Sequence, residues 1–331
     1  MLNYFLFTIL YIIILVIIIF ISKKLQFYDS PNDRKLHKKK ITNTAGIALY
    51  IYLAILATNF EFSYEIDQII IVGSAIVLTG FLDDRINLTP GVKLIMILLP
   101  TGYLIFNGYL ITDLGKYELI GKIELGKFGI VFTFLSVGLL LNSYNYIDGI
   151  DGLLSGITIS GICYLIILES SININFILSL FIIPLLVNLF FNYLPSSNYF
   201  KVFTGDAGSL LIGFFISFLL IFFYISRGVH PAFLIWVCWY PVYDFLYVTL
   251  YRIVKGDKFY KADKLHFHHI ILKKMNNSHF KAFLFINLLN IFVIFVGFQI
   301  TNGIGKIYSL ILFVLLFYIF IVSRNKLNNP N

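Results

Sequence analysis

Apolar runs of about twenty residues alternate with short polar stretches along most of the chain, the pattern of repeated bilayer-crossing helices. Windows of about 19 residues place candidate spans near 3–22, 45–60, 67–82, 92–109, 128–147, 153–169, 174–192, 207–225, 231–250, 281–299 and 306–323. The expected architecture is an all-α polytopic membrane protein with about eleven transmembrane helices, of which the second and third are short. One interval breaks the pattern. Between 108 and 128, apolar and polar residues alternate around Gly115 and Gly121, which predicts a small β-hairpin outside the membrane. No internal repeat or low-complexity linker divides the chain, so residues 1–331 are expected to form one integral-membrane domain.

The polar residues between the spans set an orientation. The first apolar run lacks a basic segment before it and a small-residue cleavage site after it. Lys23 and Lys24 follow instead, so it reads as a retained helix with its N-terminus outside. Alternation then places the C-terminus in the cytoplasm. All but five (Lys116, Lys122, Lys127, Arg227 and Lys306) of the 25 Lys+Arg fall on the cytoplasmic side of that scheme, as the positive-inside rule requires. Every Glu falls on the outer side, which makes the 108–128 hairpin periplasmic. Composition agrees: 59% of residues are hydrophobic and only 13% charged, against about a quarter in soluble domains. The net charge of +8 is thus mainly a topology signal, and nucleic-acid binding is not expected. Cys163 and Cys238 lie inside apolar runs and read as small hydrophobic filler.

Four polar clusters gather on the cytoplasmic side. Gly80-Phe-Leu-Asp83-Asp84-Arg85, with Lys93 beyond it, sets two carboxylates side by side at a helix end, where they need a cation or metal nearby. Asn142, Asn145, Asp148 and Asp151 recur every third residue, so a continued helix would align them in one polar stripe. Gly149 and Gly152 would let backbone or ligand approach that stripe. Phe203-Thr-Gly205-Asp206-Ala-Gly208-Ser209 places a carboxylate and small residues at a helix start, suited to an oxyanion or a phosphate–metal pair. Asp263-Lys-Leu-His266-Phe-His268-His269, near Arg252, Lys255, Lys258, Lys261 and Lys264, offers imidazole and cationic donors for phosphate. An upstream basic loop, Pro31 to Lys38, suits phosphate or anionic lipid. Each cluster has a plainer reading: a solvated helix end, a helix cap, an N-cap at Asp206 and a basic loop facing anionic lipids. Together they specify hard oxygen ligands, cations and amide donors at one membrane face. That combination points to Mg²⁺-assisted phosphate chemistry at the cytoplasmic leaflet. A transporter would gather its acids at the bilayer midplane and show related halves. A structural anchor would leave the Asp clusters without a role.

The ordered set Asp83-Asp84-Arg85, Asn142-x-x-Asn145-x-x-Asp148-Gly-x-Asp151-Gly-Leu, Gly205-Asp206-Ala-Gly-Ser and His266-x-His268-His269 resembles the polyprenyl-phosphate N-acetylhexosamine-1-phosphate transferase family (glycosyltransferase family 4). Asp29-x-Pro31-x-x-Arg34-Lys35-x-His37 and Pro241-x-x-Asp244 match its pattern too, and the likeness runs from about 28 to 272. Departures are Asn43-Thr44-Ala45-Gly46, in place of the family's Pro and paired Gly, and a longer 193–202 segment. The muramoyl-pentapeptide branch has three consecutive His, where this chain has His-Phe-His-His. It is therefore more similar to the branch that begins O-antigen, enterobacterial common antigen or teichoic-acid synthesis, usually from UDP-N-acetylglucosamine.

The resemblance implies transfer of an N-acetylhexosamine 1-phosphate from a UDP-sugar to undecaprenyl phosphate in the inner membrane, with release of UMP. It implies Asp83, Asp84 and Asp206 as catalytic residues, and Asp206 with Asn145 as ligands of Mg²⁺, for which Mn²⁺ could substitute. Substrate would be held by Lys93, Asn142, Asp148, Asp151, Arg252, His266, His268 and His269. The identity of the hexosamine and the oligomeric state, a homodimer included, stay open.

Overall fold

The structure is a computed structural model describing residues 2–29, 40–59, 64–195, 197–257 and 265–328. The upstream basic loop after Asp29, and Lys258, Lys261, Asp263 and Lys264, lie outside these residues. Helices occupy all eleven expected segments: α1 (Leu2–Lys24), α2 (Ala45–Asn59), α3 (Tyr64–Ile86), α4 (Pro90–Phe106), α5 (Phe128–Ile147), α6 (Leu153–Leu168), α7 (Ile172–Asn192) and α8 (Gly205–Ile225) come first. The ninth is broken into α9 (Pro231–Leu234), a 3-10 turn and α10 (Trp239–Val254), and a short α11 (Phe267–Lys274) precedes α12 (His279–Gly303) and α13 (Lys306–Asn328). By length and composition, seven helices among the described residues are long and apolar enough to cross a membrane, and the pair bent by 71° at residue 238 makes an eighth. α2, α4 and α6, at 15, 17 and 16 residues, are shorter than the ~20 residues a straight crossing needs. They nonetheless run alongside the long helices. α4, for example, starts with Lys93 beside Asp83 and ends just before Tyr109, whose ring packs on Phe218 near the other end of α8.

α8 is the hub, with 83% of its apolar window buried. Burial all round explains its uniformly apolar sequence. Its first turn is gripped closely because small residues face it. A Cβ on Gly80 of α3 would stand 2.4 Å from Ala207, and one on Gly46 of α2 would stand 2.1 Å from Gly208. Backbones approach this closely only where side chains are missing. Bonds from Ala45 N to Phe203 O (3.2 Å) and from Phe203 N to Thr42 O (2.8 Å) join the strands of chain leading into α2 and α8.

At the opposite end of α8, β1 (Asp113–Tyr117) and β2 (Gly121–Glu124) pair antiparallel. This hairpin is fastened by Tyr224 to Asp113 and by His230 Nε2 to Lys116 O at 3.0 Å. Nearby, Arg227 holds buried Glu169 through two bonds of 2.8 Å.

Candidate active site

The other end of the bundle opens into a polar cavity of about 660 Å³. Its wall includes Asp29, Asn43, Asp83, Asp84, Asp148, Gly149, Asp151, Asn192, Lys201, Asp206, His269 and His279. These positions are scattered over 250 residues of chain, and five loop or helix-end regions bring them together.

The first wall is built by α3 and α8, with Lys93 of α4 and Asn145 of α5 behind it rather than lining the cavity. Asp83 and Asp84 are adjacent, so about 100° of helix rotation separates them, and they serve different neighbours. Asp83 receives Lys93 Nζ at 2.6 Å and Leu88 N at 2.9 Å. Asp84 accepts the backbone N–H of Asp206 at 3.0 Å, placing a carboxylate at the positive end of α8. The cap of α8 thus comes from another helix. Asp206, freed of that duty, accepts Asn145 Nδ2 at 2.8 Å and lies 3.8 Å from Lys93 Nζ. Its side chain is 36% exposed, into the cavity. Asn145 also donates to Ser209 Oγ at 2.8 Å, so this carboxamide fixes the orientation of α5 on α8. Arg85 leaves the cluster and lies over the Phe27 ring.

The second wall follows α5. The expected helical stripe ends early: α5 stops at Ile147, and Asp148 to Gly152 form a turn before α6. Asn142 is not brought to the cavity. It bonds back to Gly138 O at 2.7 Å on its own helix, as a short polar side chain does when nothing else claims it. Asp148 lies in the turn and reaches the cavity without a hydrogen-bond or ion-pair partner among the described residues. Burial, then the nearby charges of Asp206, Asp151 and Asp29, push its carboxyl up to about 7. Asp151 is well partnered. Lys201 Nζ stands 2.9 Å from its carboxylate, and its backbone N–H donates to His279 Nδ1 at 3.1 Å. The room left by Gly149 is filled by His268, and that left by Gly152 by Leu189 and Tyr193, so protein rather than ligand occupies both gaps.

The third wall comes from the His cluster, and of its three histidines one lines the cavity. His269 does. His266 is buried, with Nδ1 donating to Asp244 at 2.9 Å, a pairing that fixes its tautomer. His268 is fully buried against Gly149, with neither ring nitrogen hydrogen-bonded. Burial, then the neighbouring His269, His266 and Arg324, hold it well below the usual range, so it stays neutral. Arg252 is buried at the end of α10 and does not line the cavity.

Asn192, Lys201 and His279 also line the cavity, although no sequence motif includes them. Asn192 accepts Gly152 N–H at 2.6 Å and donates to Val202 O at 3.1 Å, bracing one turn against the other. Lys201 is 5% exposed despite its charge. A lone Lys four residues before Asp206's glycine, in an otherwise uncharged loop, was the available signal for it.

The model of glycosyl transferase family 4 matches residues 68–224, the stretch that supplies Asp83, Lys93, Asn145, Asp148, Asp151, Lys201 and Asp206. An undecaprenyl-phosphate α-N-acetylglucosaminyl 1-phosphate transferase of Escherichia coli K12 is 27% identical over 320 residues, covering 91% of this chain and 84% of that protein. This chain is similar to glycosyl transferase family 4. A Yersinia pestis protein with the same name is 29% identical over 81% of this chain and 75% of its own. A probable undecaprenyl-phosphate N-acetylglucosaminyl 1-phosphate transferase of Bacillus subtilis is 28% identical, covering 91% and 83%. Together with its apolar helices, the likeness indicates a multi-pass membrane sugar-phosphate transferase. Its His269, His279 and Arg324 lie beyond the matched stretch.

Proposed function

We propose that this protein transfers an N-acetylhexosamine 1-phosphate, N-acetylglucosamine 1-phosphate above all, from a UDP-sugar to undecaprenyl phosphate, releasing UMP. The reaction would open the synthesis of an envelope glycan such as O-antigen, on the cytoplasmic face of an inner-membrane protein that crosses eleven times. The observation that carries this reading is the Asp83–Lys93–Asp206 arrangement: one part-buried ammonium between two carboxylates that line a polar cavity built from helix ends. The names of the relatives support the same acceptor and sugar.

In this scheme an oxygen of the lipid phosphate attacks the sugar-linked phosphorus of the donor. The new P–O bond forms as the bond to UMP breaks. A phosphate monoester has its second pKa near 6 and is largely ionised at pH 7, so no strong base is required. Asp83, bonded to Lys93 and Leu88 N, positions that lysine rather than taking a proton. Lys93 neutralises charge on the reacting phosphates, and positioning with charge neutralisation supplies most of the rate in phosphoryl transfer. Asp148 offers a carboxylate with no partner of its own to an N–H or O–H of the nucleotide, and His269 and His279 border the same space.

The donor set also fits Mg²⁺, with Mn²⁺ as substitute. Asp206 presents hard oxygens to the cavity. No group of three or more protein His, Cys, Asp or Glu ligands occurs among the described residues, as suits an ion that keeps waters and shares substrate phosphates. Asp206 would hold it, and Asn145 would join through Oδ1 after turning its carboxamide over. When bound, the ion supplies charge neutralisation for the diphosphate and the UMP leaving group.

UMP release by the purified protein tests the reading, with undecaprenyl phosphate, Mg²⁺ and either UDP-N-acetylglucosamine or UDP-MurNAc-pentapeptide. Turnover of the first alone, absent in Asp206→Ala, is expected. Turnover of the pentapeptide would move the protein to the other branch. Neither turnover nor Mg²⁺ binding would remove the enzyme reading altogether.

A further inference from the structure

α13 lies at the edge of the bundle, and only 11% of its apolar stretch is buried. Yet Arg324 near its end is fully buried. An arginine in such a helix is expensive and is normally kept for a purpose. Its guanidinium is enclosed by the rings of Tyr247, Phe267 and Phe320, at 4.8, 5.5 and 6.0 Å. Nη2 lies 3.8 Å from Asp244 Oδ1 and donates to Leu265 O, while Nε and Nη1 find no partner among the described residues.

We propose that Arg324 is a positioning residue for the transfer reaction, acting through Asp244 on the turn that carries the histidines; this rests on reading the polar cavity as the donor site. Asp244 is itself fully buried and holds that turn twice, accepting His266 Nδ1–H at 2.9 Å and Phe267 N–H at 2.8 Å. The turn in turn sets two things at the cavity. His269 lines it, and its N–H bonds to His266 O at 3.1 Å. His268 fills the space over Gly149, between Asp148 and Asp151. Arg324 supplies the opposite charge that makes a buried Asp244 tolerable. Without it the carboxylate is left uncompensated, and a buried charge in that state pulls in water or moves toward solvent. Either response displaces residues 265–269 and the wall they support. The final helix, well outside the matched family stretch, thereby becomes part of the site's geometry.

The test uses the full-length protein in detergent. Arg324→Met should raise KM for the UDP-sugar about tenfold, the lower end of what loss of an outer-shell partner costs. KM for undecaprenyl phosphate should stay unchanged, because the displaced groups face the polar cavity. Arg324→Lys should restore most of the loss. The Arg324→Met/Asp244→Asn double variant should be no worse than the worse single one, since both remove one interaction. Loss of kcat alone, with both KM values unchanged, would indicate fewer folded molecules and overturn the proposal. A readout independent of turnover separates this idea from the donor-site reading. The Nδ1–H resonance of His266, assigned by its disappearance in His266→Gln, should be lost in Arg324→Met and kept in Arg324→Lys. Its persistence in Arg324→Met would sink the proposal even if no donor were turned over.

Discussion

Lys93→Met separates two roles that one ammonium plays here, and the two effects have opposite signs. Nζ stands 2.6 Å from Asp83 Oδ2 and 3.8 Å from Asp206 Oδ2. If Lys93 neutralises the reacting phosphates, removing it should lower kcat by about 10²–10³-fold, the loss typical for one preorganised charge-stabilising donor. If Asp206 holds Mg²⁺ as proposed, the same ammonium would compete with the ion for it. A Mg–O bond is ~2.1 Å, so an ion beyond Oδ2 would sit about 6 Å from Nζ. At that distance a unit and a double charge repel by ~1.4 kcal/mol in water, a factor of ten. Mg²⁺ should therefore bind Lys93→Met about tenfold more tightly while the variant turns over poorly. Titrating Mg²⁺ against the melting temperature reads that affinity without any catalysis, and UMP release reads kcat. Weaker Mg²⁺ binding in the variant would refute the reasoning, because it would mean that Lys93 organises the carboxylates instead of competing for them. Near-normal kcat would refute the other half.

Three further outcomes follow from the same geometry. Asp148 has its carboxyl raised to about 7 from an ordinary value near 4. The folded state thus holds the proton more tightly than the unfolded one, and stability falls as pH rises from about 4 to 7. Asp148→Asn should therefore raise the melting temperature more at pH 8 than at pH 5, and an equal gain at both would contradict the assignment. Gly149→Ala puts a Cβ 2.2 Å from His268 Nε2 and should destabilise the protein by about 1–3 kcal/mol. Adding His268→Ala should recover part of that loss in a denaturation series, whereas additive losses would show that the contact is not the cause. At the far end, Arg227→Met strips buried Glu169 of a bidentate partner and should cost about 1–3 kcal/mol. Both KM values measured by UMP release should be unchanged, and a shifted donor KM would place that ion pair in the catalytic machinery.

The depth at which the sequence could be read depended on the kind of information each residue carried. Eleven apolar segments and a hairpin are written locally, in runs and alternations, and helices and strands form where those patterns stand. The carboxylates at 83, 84, 148, 151 and 206 are likewise legible, since an acid at the edge of an apolar run has few reasons to be there. Their division of labour is not local. Adjacent Asp83 and Asp84 look equivalent in the chain, and only the arrival of α4 on one side and α8 on the other makes one a lysine partner and the other a helix cap. The three-residue spacing of Asn142 to Asp151 misleads for the same reason: the period assumes a helix that ends at Ile147, so Asn142 turns back to Gly138 while Asp148 and Asp151 reach the cavity from a turn. Lys201 is marked only by being a lone lysine in an uncharged loop, and His279 belongs to no motif. Their roles exist because Asp151 needs a cation and an acceptor for its N–H once α6, α7 and α12 have converged. Histidines show the converse. Three in four residues suggest one phosphate-binding set, yet Asp244 captures His266 and Gly149 admits His268, leaving His269 to line the cavity. Sequence spacing thus selects which residues are costly enough to matter. Which of them touch substrate is decided by the partners that tertiary packing assigns, and those partners are where substitutions will discriminate best.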